Sequence, residues 1–309
     1  MGFKRFLNNI VMIKFVEGNI IRRFDPWRGK LCTCPPKYSL NPYTGCSHMC
    51  IYCYATSYIG RRRSTPKKDV VDRVMRDLKK IDKNLIINMS TSSDPYPPEE
   101  IDLKVTRKIL KILIGNGCKI LITTKSSIVV RDIDILKSGR CAVMITITTL
   151  DKNLSKKLEP NAPPPEERLR ALEKLSNENI PVGVRIDPII PYVNNDEKIL
   201  KELVKTVVDL GARHITTSTY KAKPDNFKRV IQTFPELEDK LRKLYYENSE
   251  IINGYRYLNI KIRKEILKPI IEEASKLGIT YATCREGILE YRNSKSCDGS
   301  HLIELINYA

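Results

Sequence analysis

Long apolar runs are missing from this 309-residue sequence. The longest uncharged one, Cys141 to Leu150, is too short to cross a bilayer, which excludes a helical membrane protein. Lys14 and Glu17 interrupt the apolar run that follows Lys4 and Arg5, so no secretory signal is expected, and the compartment read from the sequence is the cytoplasm. Low-complexity segments and internal repeats are absent too, which excludes a solenoid and favours one domain with an appendage. Acidic residues are outnumbered, 36 Asp and Glu against 54 Lys and Arg, for a net charge of +18. A field of that sign attracts phosphate backbones and other polyanions. The same excess also arises from the Lys and Ile enrichment of an AT-rich or heat-adapted proteome, so charge alone does not decide between them. Tryptophan occurs once, at Trp27, in the turn Asp25-Pro26-Trp27-Arg28-Gly29, where it reads as a packing anchor.

What remains is a globular composition, 41% hydrophobic and 29% charged, long enough for a large α/β core. Strands are expected at Tyr38 to Leu40, Leu85 to Met89, Lys119 to Thr123, Ala142 to Thr148, Val182 to Ile186 and His214 to Thr219. Helices are expected at Ile101 to Asn116, Val130 to Lys137, Pro164 to Asn179 and Asp196 to Leu210. Strands alternating with helices imply parallel βαβ units, and six of them make a partial barrel. After Tyr220 the pattern changes. Asn226 to Asn253 reads as charged and helical, Ile260 to Leu277 as a helix, Ile279 to Thr283 as a candidate seventh strand, and Cys284 to His301 as a polar loop. The expected architecture is an α/β partial (β/α)6 TIM-like barrel over residues 38–220. An N-terminal arm precedes it (1–37, with a strand at Ile10 to Phe15) and an extension follows (221–309).

Nine cysteines is an odd number and three cluster, which suits metal ligation in a reducing compartment better than a disulfide framework. The three are spaced Cys46-x3-Cys50-x2-Cys53, after turn chemistry at Asn41-Pro42 and Thr44-Gly45. Structural zinc wants four ligands, whereas a cubane iron–sulfur cluster tolerates one iron without a protein ligand. With no fourth cysteine at matching spacing, the open cluster is favoured; His48 is a helper, a bystander or a fourth zinc ligand.

Cys46-x3-Cys50-Ile51-Tyr52-Cys53 resembles the cluster motif of the radical S-adenosylmethionine (SAM) enzymes. Ser92-Ser93-Asp94-Pro95-Tyr96-Pro97-Pro98-Glu99, Thr146-Ile147-Thr148-Thr149-Leu150-Asp151 and Leu158-Glu159-Pro160-Asn161-Ala162-Pro163 narrow the resemblance to the spore-photoproduct-lyase-like subgroup. So do Pro181-Val182-Gly183-Val184 with Pro188-Ile189-Ile190-Pro191, and Cys297-Asp298-Gly299-Ser300-His301. The resemblance runs from about Asp25 to His301 and implies a barrel fold. It also implies a 4Fe-4S cluster on Cys46, Cys50 and Cys53 beside Tyr52. SAM would bind at the open iron, and a ferredoxin or flavodoxin would donate electrons. Cleavage of SAM would yield a 5′-deoxyadenosyl radical that abstracts hydrogen from a substrate. In spore photoproduct lyase a cysteine near the second strand returns hydrogen to the product. The corresponding stretch here, Thr91-Ser92-Ser93-Asp94, has none, so the resemblance does not carry that lyase reaction.

Parallel barrels place functional groups at strand C-terminal ends. By the resemblance, Ser92 and Asp94 meet the SAM amino group; as residue types they equally make turns and caps. Lys125 is read as holding the SAM carboxylate or a substrate phosphate, or as a solvated charge. Thr146 and Thr148 share one side of a strand and would meet the ribose if that side is the lumen. Arg185 and Asp187 share a face as a mutual salt bridge or as a ligand contact, Arg185 to the SAM carboxylate. Tyr220 is the candidate substrate-facing or hydrogen-donating residue. Cys32, Cys34, Cys284 and Cys297 are either ordinary thiols or a second metal or cluster site. Arg61-Arg62-Arg63 and Lys67-Lys68, near Tyr54 and Tyr58, are either a solvated helix start or a grip on a nucleic-acid backbone. Three substrate readings follow: nucleic acid, DNA above RNA; the same chemistry on a peptide or small metabolite; or a non-catalytic, metal-stabilised nucleic-acid-binding protein.

Overall fold

The computed structural model describes residues 18–24 and 29–305. The strand expected at Ile10 to Phe15 and most of the Trp27 turn lie outside the described residues. Twelve strands follow in chain order: β1 (Arg22–Arg23), β2 (Tyr38–Leu40), β3 (Tyr43–Thr44), β4 (Thr65–Pro66), β5 (Ile87–Met89) and β6 (Lys119–Thr124); then β7 (Arg140–Thr146), β8 (Val182–Ile189), β9 (His214–Thr219), β10 (Ser249–Ile252), β11 (Tyr255–Leu258) and β12 (Thr280–Thr283). The main sheet runs β1-β2-β5-β6-β7-β8-β9-β12. Every pairing from β2 to β12 is parallel, and β1 joins antiparallel at one edge.

Six strands of this sheet are those read from the sequence. The seventh, β12, pairs with β9, so the parallel sheet draws on both sides of Tyr220. Register explains how it fills. Ile120, Ile122, Val143 and Ile145 alternate outward into the large core under the helices. Leu121, Ala142 and Met144 point the other way and pack on Leu302 and Ile303 of the C-terminal turn Ser300–Leu305. Gly299 leads into that turn with φ +83°, and a Cβ there would sit 2.3 Å from the Met144 sulfur, so only glycine fits.

Three elements depart from the sequence expectation. Asn226 to Asn253 is not one helical stretch, because β10 and β11 form an antiparallel hairpin. Asn253 and Gly254 both have positive φ, the two-residue turn that Asn-Gly favours. The helix expected from Ile101 is split at Lys104 (φ +50°) into Glu100–Leu103 and Val105–Gly115. The helix expected from Val130 is a 3-10 turn, Ser127–Asp132, capped by Ser126 and followed by one short helix, Ile133–Leu136. Among the described residues, no helix is long and apolar enough to cross a membrane.

The arm before β2 is tied down by one carboxylate. Asp77, at the end of helix Val70–Asp77, accepts the backbone N–H groups of Asn19 (2.8 Å), Ile20 (2.6 Å) and Ile21 (2.9 Å). Burial pushes its pKa up, but these donors outweigh that and hold it below the ordinary carboxylate value. The stabilisation is therefore present above the unfolded pKa of about 3.9 and is lost as pH falls through the depressed folded value. Asp77→Asn is expected to lower stability by about 1–2 kcal/mol at pH 7 in urea unfolding, and by progressively less in acid. An undiminished difference at pH 3 would mean that the charge of Asp77 is not the source.

Candidate active site

The C-terminal ends of the parallel strands open into a cavity of roughly 240 Å3. Its mouth carries the three-cysteine loop, which leaves β3 and returns through β4. Gly45 has φ +75°, and a Cβ there would meet the Arg63 carbonyl at 2.3 Å, so the entry to the loop needs glycine. The Cys46 N–H donates to the Arg62 carbonyl (2.9 Å). Ser47 and Ser64 bond reciprocally, N–H of each to hydroxyl of the other (3.0 and 2.8 Å), and the Ser47 hydroxyl donates to Glu99 (2.7 Å).

Helix Pro224–Thr233 holds the loop from the far side. Arg229 donates to the carbonyls of Ile51 (2.9 Å) and Cys53 (3.0 Å), and Asn226 to that of Tyr52 (2.9 Å). Asn161 donates its amide to the Ser47 carbonyl (2.9 Å). Cys46, Cys50 and Cys53 all line the cavity. Burial pushes the Cys46 thiol up to about 11, helped by nearby Asp94; burial raises Cys50 as well, against the pull of Lys125.

Asn41 accepts the N–H groups of Thr91 (3.0 Å) and Ser92 (3.1 Å) and so shapes the loop after β5. Asp94 accepts from the Thr124 hydroxyl (2.6 Å), the Tyr96 N–H (2.9 Å) and the Lys125 N–H (2.8 Å), and His48 Nδ1 lies 3.4 Å away. Burial raises the Asp94 pKa, but His48, Thr124 and Lys125 override it and bring it down to about 2. Asp94 thus both faces the cavity and braces the loops of β5 and β6. Both ring nitrogens of His48 are buried without a hydrogen-bond partner.

Below the loop, Tyr52 donates its hydroxyl to Glu159, which pairs with Arg168 at 2.5 Å; both charged side chains are essentially shut off from water. Arg168 also donates to the carbonyls of Pro163 (2.7 Å) and Thr146 (3.1 Å). Lys125 Nζ stands 5.6 Å from the Tyr52 ring centre. Arg185 bonds Asp187 at 2.5 Å and still lines the cavity, so the salt bridge and the lumen-facing position coexist.

Of the residues singled out from the sequence, the cavity gathers Tyr52, Ser92, Asp94, Lys125, Thr146, Arg185, Tyr220 and the three cysteines, together with Cys32, Cys34 and Cys284. Thr148 is not part of its lining; it is buried beyond the end of β7 with its hydroxyl unpartnered. The Tyr220 hydroxyl donates to Asn226 (2.7 Å), whose amide donates to the Tyr52 carbonyl, so Tyr220 lines the cavity and also braces the cysteine loop. Sequence reading missed Asn226, Arg229 and Arg168. Only Asn161 and Glu159 carried a signal, inside the Leu158 to Pro163 motif. Lys221 and Glu286, paired at 2.8 Å beside the cavity, carried none.

A parallel partial barrel with three free thiols in one loop at its C-terminal mouth defines a cluster-dependent barrel enzyme. The chain belongs to the radical SAM superfamily, whose family model matches residues 40–204. An uncharacterised protein of Acidianus two-tailed virus is 29% identical over 71% of this chain and 80% of its own length. One from Methanocaldococcus jannaschii is 37% identical over 54% of this chain and 65% of its own. Among solved structures, spore photoproduct lyase with bound SAM and a dinucleoside spore photoproduct superposes with a TM-score of 0.62. It shares 16% identity, over 84% of this chain and 79% of that one. Streptococcus suis SuiB bound to SAM superposes at 0.52 with 14% identity, over 79% of this chain and 49% of that one.

The residues fit the group this family carries. Three thiols share one cavity wall, none is in a disulfide, and the cations Lys125 and Arg185 face the same space. When bound, a 4Fe-4S cluster supplies the electron that cleaves SAM to a 5′-deoxyadenosyl radical, and enzymes of this class need an external reductant.

Anaerobic reconstitution is expected to load about four irons and four sulfides at this loop, and the Cys46→Ala/Cys50→Ala/Cys53→Ala variant to lose them. Chemical iron and sulfide counts check this. Glu159→Gln leaves Arg168 buried and unpaired, and is expected to lower stability by about 3–5 kcal/mol in denaturant unfolding.

Proposed function

We propose that this chain abstracts hydrogen from a nucleic acid, DNA above RNA, by radical SAM chemistry. The observation that carries the substrate class is a cationic and aromatic rim around the cavity mouth. The Arg285 guanidinium lies over the Tyr54 and Tyr255 rings, 4.9 and 5.0 Å from their centres, and Lys223 stands over Tyr255 at 4.5 Å. Tyr54 and Arg285 both line the cavity. Exposed Arg61, Arg62 and Arg63 follow directly after the cysteine loop. Stacking surfaces set beside backbone-binding cations are what single-stranded or splayed-out nucleotides require. The dinucleoside bound to structurally similar spore photoproduct lyase supports this reading. SuiB bound to a precursor peptide supports the second one, a peptide substrate.

In this reading Cys46, Cys50 and Cys53 hold the cluster. Ser92 and the Asp94 loop receive the SAM amino group, Lys125 and Arg185 its carboxylate, and Thr146 its ribose. Tyr220 positions the loop through Asn226. A low-potential ferredoxin or flavodoxin in a reducing cytoplasm is the matching electron source.

Oligonucleotide affinity, followed by fluorescence anisotropy, is expected to fall steeply with salt. Arg61→Ala/Arg62→Ala/Arg63→Ala is expected to reduce the log–log slope by up to about 3, close to one per phosphate contact. Deuterium transfer from a deuterated oligonucleotide into 5′-deoxyadenosine would establish the substrate class. Transfer from a peptide library and none from oligonucleotides would move the assignment to the second reading.

A further inference from the structure

Four cysteines outside the cluster loop, Cys32, Cys34, Cys284 and Cys297, lie in irregular segments, and the fold brings two of them into contact from opposite ends of the chain. Cys34 Sγ is 3.4 Å from Cys297 Sγ. Cys32 lies two residues from Cys34, and Cys32, Cys34 and Cys284 line the same cavity. These residues come from three separate segments: the stretch before β2, the residue directly after β12, and the C-terminal loop. The Cys284 N–H donates to the Thr217 carbonyl at 2.9 Å, and the Thr216 hydroxyl to the Cys297 carbonyl at 2.9 Å, so both are fixed against β9.

Cations accompany the sulfurs. Lys37 is buried and pairs with Asp298, the residue after Cys297, and Arg185, paired with Asp187, lines the cavity together with Cys284.

We propose that Cys32, Cys34, Cys284 and Cys297 form a second metal site, independent of the SAM cluster, that takes a single tetrahedral zinc ion. Soft thiolate ligands select zinc among the available divalent ions. A zinc–sulfur bond of about 2.3 Å in a tetrahedron spaces its sulfurs by roughly 3.8 Å, close to the Cys34–Cys297 separation. A four-iron cluster interposes irons and sulfides between its thiolates and holds them farther apart. Among the described residues, no three His, Cys, Asp or Glu side chains are already closed around one point, so binding would bring Cys32 and Cys284 toward the Cys34–Cys297 pair.

The site's position gives the ion a purpose. β2 lies at one end of the parallel run of the sheet and β12 at the other, with no hydrogen-bonded ladder between them. An ion held by residues just before β2 and just after β12 clamps the two ends of the partial barrel, beside the cavity that Cys32, Cys34 and Cys284 line.

The test uses Cys46→Ala/Cys50→Ala/Cys53→Ala protein, dialysed anaerobically against zinc and then against cobalt(II). About one ion per chain is expected, with the intense thiolate-to-cobalt charge-transfer band and the visible bands of a tetrahedral tetrathiolate. Changing Cys34→Ser/Cys297→Ser in the same background is expected to abolish that spectrum. In protein with the cluster loop intact, that pair of changes is expected to leave about four irons. No bound ion in the triple variant overturns the proposal, and so does retention of about four irons there, which would mean a second cluster. A cobalt spectrum unchanged by Cys34→Ser/Cys297→Ser overturns the ligand assignment. Failure of the intact protein to take up any iron would count against the radical SAM centre alone.

Discussion

Glu159 and Arg168 meet at 2.5 Å out of contact with water, and the barrel mouth is assembled around them. Two opposite charges buried this deeply depend on each other and on the polar groups around them, although Arg168 Nη2 itself has no hydrogen-bond partner. Glu159 takes the hydroxyl of Tyr52, which fixes the cysteine loop from below. Arg168 takes the carbonyls of Thr146 and Pro163, which fixes the end of β7 and the start of the following helix. One ion pair thereby sets the distance between the metal-binding loop and the strand end that faces it. Removing either partner strands a charge in the interior, so the cost would spread to every element the pair connects.

The same electrostatic logic extends across the cavity. Burial disfavours ionised thiols at Cys46 and Cys50, and at Cys50 Lys125 works against it. Asp94, by contrast, is held ionised by donors on β6 and by His48. The cavity therefore presents cationic groups at Lys125 and Arg185 and a rigid, occupied acceptor at Asp94. The chain's net charge of +18 continues the cationic theme, and Arg285 lies over two tyrosine rings at the cavity wall.

Much of this was legible in the sequence because it depends on short-range rules. Strands β5 to β9 show themselves as apolar runs between helical periods, and the cysteine spacing with its turn residues marks the metal loop. The β10–β11 hairpin was hidden by a charged stretch, although its Asn253-Gly254 turn is a strong local signal. The break at Lys104 left no such trace, since a lysine at positive φ is not a choice that propensity favours. Tyr220 shows the limit most clearly. Its place at a strand exit suggested substrate contact, and it does line the cavity, but the bond of its hydroxyl to Asn226 on the next helix is visible only in the fold.

The sequence by itself determined a parallel α/β barrel, a three-thiol loop at its mouth and a strongly basic surface, because periodicity, ligand spacing and composition are properties of the chain. Tertiary structure decided which of those residues share one cavity. It joined β12 to β9, carried Arg229 and Asn226 back onto the cysteine loop, left Thr148 outside the cavity lining and brought Cys34 to 3.4 Å from Cys297 across 263 positions. Contacts of that separation arise only when the sheet curls and its two ends approach. No local pattern encodes them.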